Sequence, residues 1–293
     1  MIKVVNTRRD GRLYHYAHFI CDCLFPEVIN EIYKYKKVVR EKSLFQTIGN
    51  FDKFYTKCMG IKNVELPKKE FDKLKDVTTM FYKNKKHYTD KTHFEKFRKY
   101  IFSRYKIRPL VYDAGYPEVI LIKRADRVQL LNDKKLIKQN ANTHTATSGK
   151  ERREINDVDG VEEYLQKKYG DKFKSVYFEN LPFKKQIQYF NNAKLIICAH
   201  GAVMSNMFFC KKNTKIIEVT CKTGWGFFNE ISRILNLNHI KCRINTLEEI
   251  VKCIDLNPVY SAENLNPISS GENLNPISSA EDILNSTLDN SLN

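Results

Sequence analysis

The sequence predicts an α/β fold around a parallel sheet, and three observations carry that expectation. From residue 118 to 253, short apolar runs alternate with segments of helical periodicity. The run from Leu195 to Cys198 is unbroken, as expected of a strand covered on both faces. The joining segments are short, which suits right-handed crossovers between parallel strands. With 293 residues, 42% of them hydrophobic, the chain can bury one large core or two medium ones.

Residues 1–108 are lysine-rich with interleaved aromatics. Phe45, Phe51, Phe54, Tyr55, Phe71, Phe81 and Tyr82 could line single-stranded nucleic acid, but irregular aromatics beside lysines read better as core under a solvated face. Pro109 to Pro117, with Gly115, reads as a hinge. Strands are then expected at 118–123, 174–178, 195–198, 215–219 and 240–244. Helices are expected at 161–169, 183–191, 202–209, 225–235 and 247–254. This alternation makes residues 109–254 a Rossmann-like half. Residues 255–293 contain the near-repeat SAENLNPIS, SGENLNPIS and a degraded SAEDILNS; their Asn-Pro steps and scarce apolar surface predict a disordered tail. The expected division is therefore 1–108, 109–254 and 255–293, and a chain cut near Ile254 is expected to fold and work.

Lys and Arg number 50 against 34 Asp and Glu. Residues 254–293 hold no basic residue and six acids, so the remainder carries 50 basic against 28 acidic residues, a net +22. A field of that sign attracts nucleotide diphosphates, nucleic acid and acidic membranes alike. No apolar run approaches membrane-crossing length, and the first ten residues lack the apolar centre of a signal peptide, so a cytoplasmic setting is expected. The eight cysteines form no C-x-x-C pair, which predicts reduced thiols and no zinc site.

The strand at 195–198 runs into Ala199, His200, Gly201 and Ala202. Ligands of open α/β sheets sit outside the carboxyl ends of strands, and a helix starting there offers N–H groups and a dipole to an anion such as phosphate. A lone His beside Gly is ordinarily a satisfied polar residue of a tight turn. Here its surroundings point further. Ala193, His200, Gly201, Ala202, Asn206, Phe209 and Glu218 stand in a pattern that resembles the signature of the family 61 glycosyltransferases, also known as DUF563. Cys198, Val203 and Lys211-Lys212-Asn213 replace that family's Gly, second Gly and Pro-Gly turn. Upstream, Ile120 to Arg124 followed by Arg127, Leu131, Asn132 and Asp133 is similar to the family's strand ending in Arg and its Arg-x-x-x-x-Asn-Glu segment. Glu179-Asn180-Leu181 with Gln186 matches a third block. Tyr14 to Asp22 resembles the family's Tyr-x-His-x-x-x-(Asp/Glu) helix, with His18 and Asp22 in the matching positions.

The resemblance implies a GT-B fold, two Rossmann-like domains facing across a cleft, with the acceptor side N-terminal and the nucleotide-sugar domain following. It implies transfer from a nucleotide diphosphate sugar to a glycan hydroxyl. Donor binding then falls to Arg124, Arg127, Asn132, His200, Gly201, Ala202, Asn206 and Glu218. Arg124 closes a strand and can pair bidentately with phosphate oxygens; Glu218 ends another and is expected to bond a ribose hydroxyl. His18 and Asp22, four residues apart, share a helix face, so Asp22 can take the acceptor proton while His18 orients it, or the reverse. A buried His–Asp pair of structural value is the alternative reading. The sequence is read as carrying no Asp-x-Asp motif, so neither a required metal nor a cofactor beyond the sugar nucleotide is expected. The reading is an inverting transferase of a pentose or N-acetylhexosamine, UDP-xylose being the first choice of donor. Its basic surface would serve a membrane face or a partner protein, with no specific nucleic acid. The rivals are a basic nucleic-acid-binding protein with an inert Rossmann-like half, and a degenerate transferase acting as a scaffold. The Lys-, Asn- and Ile-rich composition and the tail repeats fit a bacterium or large DNA virus that builds glycans in the cytosol.

Overall fold

The computed structural model describes residues 16–32, 39–41, 64–66, 91–109, 113–125, 153–178, 181–220 and 227–256. All of the expected strands of the main sheet fall within them, and so do its expected helices apart from residues 225 and 226. The chain divides into one unit running from Met1 to Val259 and a second from Tyr260 to Asn293, which lies wholly outside the described residues.

Residues 16–32 are helical throughout: α1 (Tyr16–His18) passes through a π-helical turn, Phe19–Leu24, into α2 (Phe25–Ile32). Two short strands, β1 (Val39–Glu41) and β2 (Val64–Leu66), pair in parallel. In α3 (Lys91–Tyr105), Phe94, Phe97, Ile101 and Tyr105 recur every three or four residues and are buried as one stripe. Of the aromatics singled out in residues 1–108, all seven lie outside the described residues. The second Rossmann-like sheet expected in that region falls largely outside them too.

The main sheet is built from β3 (Val119–Lys123), β4 (Phe173–Tyr177), β5 (Leu195–Ala199), β6 (Lys215–Val219) and β7 (Asn238–Cys242). It is parallel throughout, in the order β4-β3-β5-β6-β7. Side chains alternate between two cores. Val119, Leu121, Ile197 and Ile217 meet α4 (Val158–Tyr169) and α7 (Leu247–Asp255), through Val161, Leu165, Ile250 and Ile254. Ile120, Ile122, Ile196 and Ile216 meet α5 (Phe183–Asn192) and α6 (Phe227–Ile234) on the other face. That second core continues into α1, α2 and α3. Phe208 stands 5.3, 4.9 and 5.2 Å from Phe25, Phe94 and Phe97, ring centre to ring centre, distances at which aromatic rings attract one another beyond simple burial.

Element ends follow local chemistry. Asp157 caps α4 by accepting the Gly160 N–H at 3.0 Å, so that helix starts three residues earlier than its apolar pattern suggested. Gly170 leaves the same helix at φ 54°, in the left-handed region that costs glycine least. Thr246 caps α7. Two expectations need correction. The segment Ala202–Phe209 is a 3₁₀ helix rather than an α-helix, and Met204 to Phe209 are all buried, so it has no polar face. β7 begins two residues before the expected start, because Asn238 donates its N–H to Thr214 and locks the polar Asn238-His239 pair into the ladder.

Candidate functional site

The chain leaves β3 for β4 on one side of the sheet and returns to β5 on the other, so the strand order reverses between β3 and β5. A crevice is expected outside the carboxyl ends of two strands that part in this way. Arg124 follows β3 and His200 follows β5, which brings both to that edge. The backbone of His200 is fixed by its N–H bonding the Val219 carbonyl at 2.9 Å. Its own carbonyl accepts from Arg124 Nη2 at 3.2 Å and from Arg153 Nη1 at 3.4 Å. Two guanidinium groups thus converge on one peptide, the arrangement that suits a polyanion.

Gly201 makes that convergence sterically feasible. Its φ of 173° is ordinary extended backbone, so conformation does not require glycine here. Space does: a β-carbon on Gly201 would collide with Nη2 of Arg124. Arg153 is held by a clamp between the segment before α4 and the loop before α7. Asn156 donates its N–H to Asn245 Oδ1 at 3.1 Å and its amide to the Asn245 carbonyl at 2.9 Å; Asn245 donates to the Glu154 carbonyl at 2.6 Å.

Glu218 shares the parity of Ile216 on β6 and is fully buried. One oxygen is bonded to Nδ1 of His200 and the other lies 2.9 Å from Nε2 of His239, whose β7 position is in register with Ile216. Burial alone would raise the Glu218 carboxyl; the bonds from His200 and His239 outweigh it and hold the group at about 2. Each nitrogen aims at its own oxygen, so this His–Glu–His cluster does not converge on a shared point. Among the described residues no group of three or more His, Cys, Asp or Glu side chains could hold a metal ion. The expectation of no Asp-x-Asp motif needs correction, since Asp157 and Asp159 form one, but Asp157 is engaged in capping α4.

Asn206 belongs to a buried strut rather than to the crevice. It accepts from the Tyr16 hydroxyl at 2.5 Å and donates to Gln186 at 3.1 Å, and Gln186 in turn donates to the Phe178 and Leu181 carbonyls. This strut ties α1 and α5 to the turn that follows β5. The expected ribose role of Glu218 also changes, since both of its oxygens are engaged behind His200 and its side chain is 1% exposed. Ala202 is half-buried beside Gly201. Arg127 and Asn132 lie outside the described residues. His18 ends α1 and Asp22 sits in the π-helical turn; their side chains are outside the described residues as well.

The three departures from the resemblance each find a place. Burial pushes the Cys198 thiol up to about 12, so it is an inert core group. Val203 packs against the core. Asn213 adopts φ 65°, doing in the Lys211-Lys212-Asn213 turn what glycine does elsewhere. Two residues of the site were not found from sequence. Arg153 had a signal, because Arg152 and Arg153 stand four and three residues before an Asn-Asp pair that directly precedes a helix. His239 had none, since only the β6–β7 register brings it to Glu218.

No helix among the described residues is long and apolar enough to cross a membrane. No curated protein sequence matches the chain significantly. The family model described as Glycosyltransferase 61 matches residues 16–217, from the π-turned N-terminal helix into β6. That span takes in Arg124, Arg153 and the His200 turn at the strand edge, and the chain belongs to the glycosyltransferase 61 family.

Proposed function

We propose that the chain is an inverting glycosyltransferase that binds a nucleotide diphosphate sugar at the carboxyl ends of β3 and β5 and passes the sugar to a glycan hydroxyl. The observation that carries this reading is the convergence of Arg124 and Arg153 on the His200 carbonyl, at the point where the strand order reverses. The leaving group of such a donor is a diphosphate whose negative charge grows as the sugar departs. Two forked cations stabilise that charge as it develops, and no metal need supply it. Asp22 takes the acceptor proton, with His18 orienting it. Its place in a π-helical turn supports a working role, since such turns are rare and concentrate at functional sites. UDP-xylose remains the first donor to try. A cytoplasmic setting, a two-domain arrangement of GT-B type and a basic surface used toward a membrane or partner protein complete the proposal.

Titration with UDP tests the donor site. Arg124→Ala and Arg153→Ala should each raise the UDP dissociation constant at least tenfold, roughly the worth of one charge-assisted contact. Gly201→Ala should do the same while barely changing the melting temperature, because the group it displaces is the flexible end of Arg124. Asp22→Asn should leave UDP binding unaltered and lower turnover about a hundredfold. Unchanged UDP binding in folded Arg124→Ala and Arg153→Ala proteins would sink the donor assignment.

A further inference from the structure

Glu218 is ionised, and an ionised carboxylate has no proton to give. Both ring nitrogens that face it must therefore be N–H donors: Nδ1 of His200 and Nε2 of His239. For a neutral His200 ring this decides the tautomer. A neutral ring with its proton on Nδ1 has a bare Nε2, and the His200 side chain is the partly exposed one, at 12% against 4% for His239.

The terminal torsion of a glutamate is broad and two-fold, so a carboxylate held by one ring alone can turn. His239 on the second oxygen fixes its plane. His239 also packs against α6, its Nδ1 lying 3.3 Å from the Ser232 hydroxyl oxygen, whose own proton goes to the Asn229 carbonyl at 2.8 Å. Ser232 and Asn229 belong to α6. So does Phe228, whose ring meets that of His200 edge-on at 5.6 Å. One helix thus steadies both histidines. Among the described residues, the titratable groups around Glu218 are His200 at the end of β5, Cys198 within β5 and His239 on β7, while α6 contributes only neutral Ser232 and Phe228.

We propose that His239 is a positioning residue, acting through the two oxygens of Glu218 to hold His200 in the tautomer with its proton on Nδ1 and its Nε2 bare. The consequence rests on the donor-site reading above: His200 then accepts a hydrogen bond from a hydroxyl of the bound sugar nucleotide, and its peptide is held still where Arg124 and Arg153 meet. The geometry itself does not depend on that reading.

Nitrogen-15 spectra of histidine-labelled protein read the tautomer directly, and UDP titration reads the consequence. In the unsubstituted protein His200 should show a protonated Nδ1 and a bare Nε2. His239→Phe, which keeps a ring but donates nothing, should convert this to a tautomer mixture and raise the UDP dissociation constant about tenfold. His239→Gln places an amide donor near the position of Nε2 and should restore both. A His200 proton found on Nε2 in the unsubstituted protein overturns the proposal even if no variant folds. So does a folded His239→Phe protein with an unmoved His200 pattern, because a merely structural histidine would leave the tautomer alone. Failure of UDP to bind the unsubstituted protein, with the tautomer responding as expected, would remove the donor reading and keep the coupling of the two histidines.

Discussion

Glu218 is buried in an apolar core, a place that ordinarily favours the neutral acid, yet two imidazole donors hold it at about 2 against an ordinary 4.5. A carboxyl whose folded-state value is depressed stabilises the fold at any pH above the unfolded value, and that contribution fades as pH falls through the folded one. The window therefore runs from about 4.5 down to about 2. At roughly 1.4 kcal/mol per unit, the ionised form contributes about 3 kcal/mol. Glu218→Gln keeps the shape and removes the charge. Urea unfolding should show it about 3 kcal/mol less stable than the unsubstituted protein at pH 6, with the gap closing through that window. A gap that stays constant down to pH 2 would mean that the loss is one of packing rather than charge.

At the scale of elements, α7 shows how a strand closes a distant helix. Lys215, whose parity on β6 matches Ile217, donates from its buried Nζ to the Ile254 carbonyl at 2.8 Å and to the Leu256 carbonyl. It caps the helix end as a cation should. Asp255 is bonded by Lys168 and by the Tyr164 hydroxyl, on α4. The body of the protein thus holds residues expected to start the tail. A chain ending at Val259 should melt with the full-length protein, whereas one ending at Ile254 should melt at least about 4 °C lower in a thermal scan, as loss of a kilocalorie or more implies. Equal melting temperatures would show these anchors to be dispensable. β3, β5 and β6 were legible because each carries an apolar run that needs cover on both faces, β4 and β7 because they alternate with helical segments, and the His200 turn because Gly201 follows such a run. What could not be read is what register and crossover decide. Nothing local to Asn238-His239 says that it joins a strand, and nothing local to Asn156 says that it grips Asn245. The 3₁₀ form of Ala202–Phe209 was hidden for a related reason, since a segment buried on every side shows no helical period.

For the molecule as a whole, the aromatic rings of α2 and α3 close on Phe208, so the N-terminal helices and the sheet share one core. Removing that ring should cost about 3–5 kcal/mol. Phe208→Ala should lower the urea midpoint while far-ultraviolet dichroism and near-ultraviolet tyrosine absorbance still report one coincident transition. Two separated transitions would show that the helices of residues 16–32 and 91–105 fold as their own unit. The sheet's outer strands have a different consequence. Among the described residues β4 and β7 bound it, and each carries a lysine, the exposed Lys174 on one and the half-buried Lys241 on the other. An unpaired strand edge is a template on which a stray chain can add itself, and a lysine placed there must be desolvated before the addition proceeds. The lysines on β4 and β7 thus make both margins of the sheet poor seeds for aggregation.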